Sequence, residues 1–161
     1  MPSSVLIDPW SSADHALLTA LNGDAAQMAH VGGAETAEKI AERQGRYERD
    51  PGQFAILVDG QRAGWVGFWE REWRDAPIYE IGWSVLPAFQ GRGAAKAATL
   101  LALDAARAAG GPRAIHAFPG TDNAASNAVC RSAGFALVEA DLTFEYPPGT
   151  KMVVNDWRVA L

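Results

Sequence analysis

A strand-like run leads into an alanine-rich stretch through Val85-Leu86-Pro87-Ala88-Phe89-Gln90-Gly91-Arg92-Gly93-Ala94-Ala95. Glycine at positions 91 and 93 lets the backbone adopt torsions that other residues avoid and lets it approach a ligand closely. A helix beginning at Gly93 leaves its first N–H groups without intrahelical partners, and its dipole places partial positive charge there. This segment therefore predicts an anion site suited to a pyrophosphate, to which Arg92 adds a charged side chain.

Two common nucleotide-binding motifs do not fit this glycine pair. The segment lacks the Gly-Lys-Ser/Thr ending of a Walker loop, and Lys96 stands where the dinucleotide fingerprint has a third small residue. A plain strand-to-helix turn would use the same glycines without binding anything. The glycines alone do not separate a phosphate site from such a turn.

The flanking sequence alternates between helix and strand signals. Helices are predicted from Ser11 or Ser12 to about Leu21, from Thr36 to before Asp50, over 93–109, and from Asp122 or Asn123 to about Ala133. Strands are predicted over 54–58, 63–69, 78–86, 114–118, 135–146 and 151–160, with turns at Asp59-Gly60 and Pro147-Pro148-Gly149. The charged residues Arg71, Glu72, Arg74 and Asp75 are typical of a solvated loop. This order predicts one α/β domain over residues 1–161, with a mixed sheet and helices on its faces.

Composition excludes several classes of function. The net charge of −5 argues against nucleic acid as the main partner, because phosphate binding favours a basic surface. No run of about 18 apolar residues is present, so we expect no membrane span, and we expect no signal peptide. A single cysteine excludes a disulfide framework and is consistent with a cytoplasmic protein, while three scattered histidines do not build a metal site.

Two segments resemble signatures of the GNAT N-acetyltransferase superfamily. Gln90-X-X-Gly93-X-Ala95, after a strand ending Gly82-Trp83-Ser84-Val85-Leu86-Pro87, is similar to the family's acetyl-CoA signature. The stretch from Asn123 through Ser126 and Cys130 to Gly134-Phe135 is similar to its closing helix. Both segments occur in the family's order and spacing, and their style is closest to the branch that acetylates ribosomal proteins and small amines.

The resemblance implies a fold and a cofactor site. It implies a mostly antiparallel central sheet with helices on both faces and a splayed parallel strand pair, at which the backbone of Val85 and Leu86 bonds the pantetheine arm of acetyl-CoA. Asn123 and Ser126 would lie near the thiol end. Family members are often dimers, which is the ground for expecting a homodimer. The pyrophosphate would bind the backbone amides of Gln90, Gly91, Arg92, Gly93, Ala94 and Ala95.

The proton donor for the leaving thiolate is an open question in this sequence. Many family members carry a tyrosine four residues before the closing glycine, and this chain has Cys130 there. A cysteine can donate a proton at its ordinary pKa near ~8.5. The alternatives are Ser126 and solvent.

Two side chains are candidates for the general base that deprotonates the acceptor. Glu80 is the leading candidate because it lies on the strand entering the cofactor loop, where several family members place an acidic base. Alternation puts Glu80, Gly82 and Ser84 on one face of that strand. His116 is the second candidate, because it lies on the strand expected to form the other wall of the cleft. Either residue can instead have a structural role.

Aromatic residues cluster beside these candidates. Trp65, Trp69 and Trp73 are spaced by four residues in a strand-rich region, so even spacing places them on one face of a strand. Such a face is usually core, but Trp69 and Trp73 could form an aromatic wall for a cation.

The sequence therefore predicts an enzyme that moves an acetyl group from acetyl-CoA to a primary amine of a small molecule by direct attack in a ternary complex. Two other functions fit the same motifs. One is acetylation of a protein N-terminus, as in the ribosomal-protein branch. The other is a non-catalytic domain that binds or senses acyl-CoA.

Overall fold

The computed structural model describes residues 2–145 and 148–161. Its helices are α1 His15–Asn22, α2 Ala37–Arg49, α3 Ala94–Ala109 and α4 Ala124–Ser132, with short 3-10 turns at Ser12–Asp14 and Pro87–Phe89. Its strands are β1 Val5–Pro9, β2 Gln53–Val58, β3 Gln61–Trp73, β4 Ala76–Val85, β5 Ala114–Ala117, β6 Ala136–Glu145 and β7 Lys151–Ala160. Tyr146 and Pro147, to which the predicted strand and turn extend, lie outside the described residues.

The described strands form one sheet in the order β1-β2-β3-β4-β5-β7-β6. Every neighbouring pair is antiparallel except β4 and β5, which are parallel. The predicted fold class, a mixed and mostly antiparallel sheet flanked by helices, is confirmed.

Helices pack on both faces of the sheet. Helix α3 lies against one face through Ala94, Ala98, Ala102 and Ala106, which are at most 3% exposed and recur every fourth residue. This spacing puts small side chains on one side of the helix, so the helix can approach the strands closely. On the other face, α1 and α2 form a second buried cluster with Trp10 and Ala55 of the β1–β2 region.

One predicted loop is wrong. Arg71 and Glu72 belong to β3, which continues to Trp73 and pairs with β4 throughout, and only Arg74 and Asp75 form the turn. Both turn residues have positive φ, 51° and 61°, as a tight hairpin between twisted strands requires. The charges were misleading because the end of β3 alternates between the exposed Glu70 and Glu72 and the half-buried Arg71 and Trp73, and the Arg71 guanidinium lies against aromatic rings.

Most other predicted boundaries agree with the structure to within a few residues. Thr36 caps α2 by accepting a hydrogen bond from the Lys39 N–H, and Asn123 caps α4 by accepting one from Ser126. Within the described residues, none of the helices is long and apolar enough to cross a membrane.

Candidate active site

A cleft opens where β4 and β5 separate. β4 pairs with β3 as far as Val85, but with β5 it pairs only at Tyr79–Ile115 and Glu80–His116. Beyond that last rung the backbone of β4 faces β5 without forming a ladder. Peptide groups in such a gap are free to bond an extended ligand. The cleft runs from the C-terminal end of β4 to an apex at Glu80 and His116.

The outer end of the cleft is a glycine-rich turn at the start of α3, which we call the cradle. Gly91 and Gly93 both have positive φ, 74° and 75°, and a Cβ added at either would meet nothing within 4 Å. Gly93 is the N-cap and offers no side chain, and the Ala97 N–H is bonded to the Gly93 carbonyl at 3.0 Å. The N–H groups of the first turn therefore face open space with the positive end of the helix dipole behind them.

Charge around the cradle is positive and exposed. Arg92 and Lys96 are both exposed beside the first turn of α3. The Arg92 guanidinium lies 5.7 Å from the centre of the Phe89 ring, which keeps it next to the loop. The predicted segment Gln90–Ala95 thus combines free helix N–H groups with positive side chains at its rim.

The segment between α1 and α2 bridges the mouth of the cleft. The Gln27 Nε2 group donates a 2.9 Å hydrogen bond to the Val85 carbonyl, which also accepts one from Gln90 Nε2 at 2.9 Å. A few residues on, His30 Nδ1 lies 3.4 Å from the Asp122 carboxylate, on the opposite side. No sequence signal pointed to Gln27, because its partner is far away along the chain and no motif includes it.

The apex holds one ion pair and one hydrogen bond between a histidine and a carboxylate. Glu80 Oε2 accepts a 2.9 Å hydrogen bond from Arg71 Nη1. On the neighbouring strand His116 Nδ1 lies 2.6 Å from Asp156 Oδ1, and both residues are buried. The structure therefore brings the two predicted base candidates to the same rung of the sheet. It also gives each of them a charged partner that the sequence did not indicate.

Aromatic rings surround this apex. The Arg71 guanidinium carbon lies 5.3 to 5.6 Å from the ring centres of Trp73, Phe118 and Phe144. The Trp73 N–H donates to Asp156 Oδ2 at 3.2 Å. The sequence could not place Phe118 and Phe144 here. Phe118 follows β5 and Phe144 lies near the end of β6, and only pairing across the sheet brings them to Trp73.

A second group of rings covers the same face toward α2. Tyr47 stacks on Trp65 at 5.5 Å, and Trp65 stacks on Trp69 at 6.3 Å, which confirms that these tryptophans share one face. Gly82 lies beneath them: a Cβ there would come within 3.0 Å of the Trp65 indole. Trp69 is the register partner of Glu80, so this stack ends beside the apex.

Helix α4 forms the other side of the cleft. The Asn123 side chain is used as its cap, and Ser126 is partly exposed one turn away. Asn127, which was not among the predicted site residues, is buried and anchors the helix. It donates to the Gly120 and Asn123 carbonyls and accepts from Asn155 and Trp157 at 2.8 to 2.9 Å.

Cys130 lies on the inner face of α4. Its side chain is fully buried in the main core, and this burial raises the pKa of the thiol to about 12. A donor with such a pKa gives up a proton far less readily than an ordinary thiol does. The position that holds tyrosine in many relatives here holds a core residue.

Comparison with known proteins agrees with this geometry. Residues 4–136 match the model of an acetyltransferase (GNAT) domain, which is most of the chain. No curated protein matches the chain in sequence.

Solved structures share the fold at low identity. The Salmonella typhimurium protein yncA, solved with its cofactor acetyl-CoA, is 22% identical, with 98% of this chain and 94% of that chain covered and a TM-score of 0.77. Spermidine N-acetyltransferase from Vibrio cholerae, in complex with CoA and spermine, is 16% identical, with 97% and 95% covered and a TM-score of 0.79. A Salmonella typhimurium acetyl transferase that modifies the N-terminal serine of ribosomal protein L7/L12 is 21% identical, with 98% and 95% covered and a TM-score of 0.76.

Proposed function

Because the chain belongs to the GNAT acetyltransferase family, we propose that it moves an acetyl group from acetyl-CoA to a primary amine of a small molecule. The observation that carries this proposal is the continuous cleft from the α3 cradle to the Glu80–His116 rung. It offers a phosphate site at one end and proton acceptors at the other, with unpaired strand backbone between them.

The residues present fit acetyl-CoA as the donor. The Gly91–Gly93 turn leaves space beside the free N–H groups of α3, and Arg92 adds charge at its rim, which together suit a pyrophosphate. The backbone of Val85 and Leu86 would hold the extended arm, provided the Gln27 and Gln90 side chains release the Val85 carbonyl. Asn123 and Ser126 would lie along the α4 side. When bound, acetyl-CoA supplies the acetyl thioester.

A small cationic acceptor suits the apex. Glu80 is one-fifth exposed at its side chain, and it lies at the apex beside the flat indole of Trp69. A carboxylate next to an aromatic face attracts an ammonium group by charge and by cation–π contact. The second candidate acceptor is a protein N-terminus. Relatives of both kinds share the fold: one acts on spermidine and another on the N-terminal serine of a ribosomal protein.

Transfer requires that the acceptor lose a proton before its nitrogen can attack. Glu80 and His116 are the two side chains at the apex that can take this proton directly or through one water molecule. The rest of the rate would come from holding the amine and the thioester together in the cleft.

The proton that returns to the leaving thiolate would come from solvent or from Ser126. Cys130 is a poor donor because its side chain is fully buried in the main core, away from solvent, whereas Ser126 is not. Ser126 is partly exposed on the first turn of α4, where a thiol emerging from the cleft would reach it.

The test is release of free thiol from acetyl-CoA against a panel of monoamines, polyamines, amino-acid derivatives and peptides with free N-termini. We expect turnover with at least one small amine and a lower kcat/KM for every peptide. A peptide as the best acceptor would replace this proposal with N-terminal acetylation of proteins. Tight CoA binding without turnover on any acceptor would indicate a sensing domain instead.

A further inference from the structure

We infer that Asp156 is a positioning residue that makes His116 the proton acceptor of this enzyme, with the Trp73 indole holding the carboxylate in place. The inference rests on the proposed transfer to an amine. It assigns the role of general base to His116, the second candidate from the sequence. The partner that supports this role, Asp156, lies outside both GNAT motifs.

The geometry fixes the tautomer of His116. Asp156 is fully buried, and its Oδ1 lies 2.6 Å from His116 Nδ1. A carboxylate only accepts hydrogen bonds, so Nδ1 carries the proton and Nε2 is left with a lone pair. Nε2 has no hydrogen-bond partner among the described residues. It is also not among their buried polar atoms that lack a partner, so solvent reaches it although the side chain is only 7% exposed. Its lone pair is therefore the part of the ring that is open to a substrate.

The carboxylate is itself held by a second bond. Asp156 Oδ2 accepts a hydrogen bond from Trp73 Nε1 at 3.2 Å, so each oxygen has one assigned donor. The ring of His116 also stacks on Phe118 at an interplanar angle of 15°. These contacts restrict rotation of the imidazole, which is the arrangement that orients a catalytic base.

Glu80 is the less suitable base because it is already engaged. Arg71 Nη1 donates to Glu80 Oε2 at 2.9 Å, and the guanidinium is fixed by the three rings around it. The Oε2 atom is thus already occupied by a charge-assisted hydrogen bond before any acceptor arrives. The other oxygen of Glu80, Oε1, has no hydrogen-bond partner among the described residues and can accept a hydrogen bond from the acceptor ammonium.

The charged groups facing His116 come from three strands. Asp156 and the exposed Arg158 lie on β7, Glu80 lies opposite on β4, and Arg71 lies on β3. Within this set Asp156 is the only carboxylate bonded to the ring. It stabilises the positive charge that the imidazole acquires when it takes a proton.

The proposed step conserves atoms and electrons. Nε2 of His116 takes a proton from the acceptor ammonium, which frees the nitrogen lone pair. That pair forms the new N–C bond to the acetyl carbon, and the C–S bond breaks with its electrons remaining on sulfur. A second N–H proton passes to solvent, and the proton on His116 goes to the released thiolate or to water.

The first experiment reads the tautomer directly. Nitrogen-15 NMR of the histidine ring in the wild-type protein should find the His116 proton on Nδ1, and the Asp156→Asn variant should move it to Nε2, because the Asn amide can donate to Nδ1. A wild-type ring protonated only at Nε2 would overturn the inference, whatever the acceptor is.

The second experiment measures acetyl transfer by single and double variants. We expect His116→Gln to lower kcat by roughly 10²- to 10⁴-fold, the usual range for loss of a general base. Asp156→Asn should cause a loss of similar order, and the double variant should be within about threefold of His116→Gln alone because the two residues act as a unit. The dissociation constant for CoA should be unchanged in all three proteins, and Asp104→Asn, an exposed carboxylate on α3, is the matched control.

Two results would overturn the role of Asp156 and His116 while leaving the proposed function intact. One is transfer by His116→Gln at more than a third of the wild-type kcat. The other is a double variant whose fold-loss of kcat equals the product of the two single-variant losses, which would mean that Asp156 acts independently of His116. If the wild-type protein acetylates no amine at all, the proposed function fails instead.

Discussion

The Gly93 backbone provides the sharpest test of the anion cradle. Gly93 has φ 75° and ψ 11°, and a Cβ at this position would touch no protein atom within 4 Å. Gly93→Ala therefore causes no steric clash within the protein, and its effect on the unliganded protein comes from the left-handed backbone. That conformation costs an L-residue with a side chain roughly 1–2 kcal/mol. The same methyl group would point into the space where the phosphate is expected.

The change in CoA affinity depends on whether the backbone cost at Gly93 is paid in the free or in the bound protein. If the loop relaxes in the free protein, the cost opposes binding, and 1–2 kcal/mol corresponds to a CoA dissociation constant raised about 5- to 30-fold. If the loop keeps its shape, the cost appears as lost stability. Isothermal titration with CoA and urea unfolding of the same variant measure both parts, and their sum should be about 1–2 kcal/mol or more.

Two controls separate the cradle from general strain. Gly60→Ala introduces the same kind of strain, since Gly60 has φ 80° and open space around it, but it lies in the β2–β3 turn, outside the cradle. It should lose stability and keep its CoA affinity. Pantetheine, which lacks the pyrophosphate, should bind Gly93→Ala and wild type equally well. The cradle is refuted if Gly93→Ala weakens pantetheine as much as CoA, or if it changes neither affinity nor stability.

Two further predictions concern helix α4. Asn127→Ala removes four hydrogen bonds and leaves the buried Trp157 N–H without a partner. We therefore expect the free energy of unfolding, measured in urea, to fall by about 3–5 kcal/mol. A loss below about 1 kcal/mol would contradict the anchoring role. Burial raises the pKa of Cys130 to about 12. Between about pH 9 and 12 the unfolded chain therefore loses a proton that the folded chain keeps. The free energy of unfolding falls as the pH rises through that window. Cys130→Ala should flatten this part of the decline while keeping kcat within about twofold. Equal slopes for the two proteins would show that the thiol is not held neutral, and a large fall in kcat would restore Cys130 as a candidate acid.

The sequence was informative where its signals are local. Glycine and alanine around Gly93 predicted the start of α3, and the caps Thr36 and Asn123 predicted the starts of two helices, because each signal depends on residues within one turn. The hairpin at Asp59-Gly60 is of the same kind. These elements, together with the family resemblance, were enough to predict the sheet and the position of the cleft.

The apex was less accessible to sequence reasoning because it is made by pairing across strands. His116 and Asp156 are 40 residues apart and meet only because β5 pairs with β7. Arg71 looked like a loop residue, and its aromatic surroundings are spread over three separate segments. The one hint was a carboxylate at a position between buried Val154 and Trp157 on β7. A buried acid needs a partner, but the sequence does not name it.

The short β4–β5 pairing also divides the backbone hydrogen bonding of the sheet. Strands β1 to β4 form one ladder and β5, β7 and β6 form another, and within the described residues the backbone seam between them is Tyr79–Ile115 and Glu80–His116. Side chains join the two ladders near the start of β4, through the hydrogen bond from Trp73 to Asp156 and the ion pair of Arg74 with Glu139. The opening therefore leaves the β4 backbone after Glu80 without a partner on β5 while the two halves stay joined at the other end of the seam. An extended ligand can then enter and leave between the strands without unfolding the sheet.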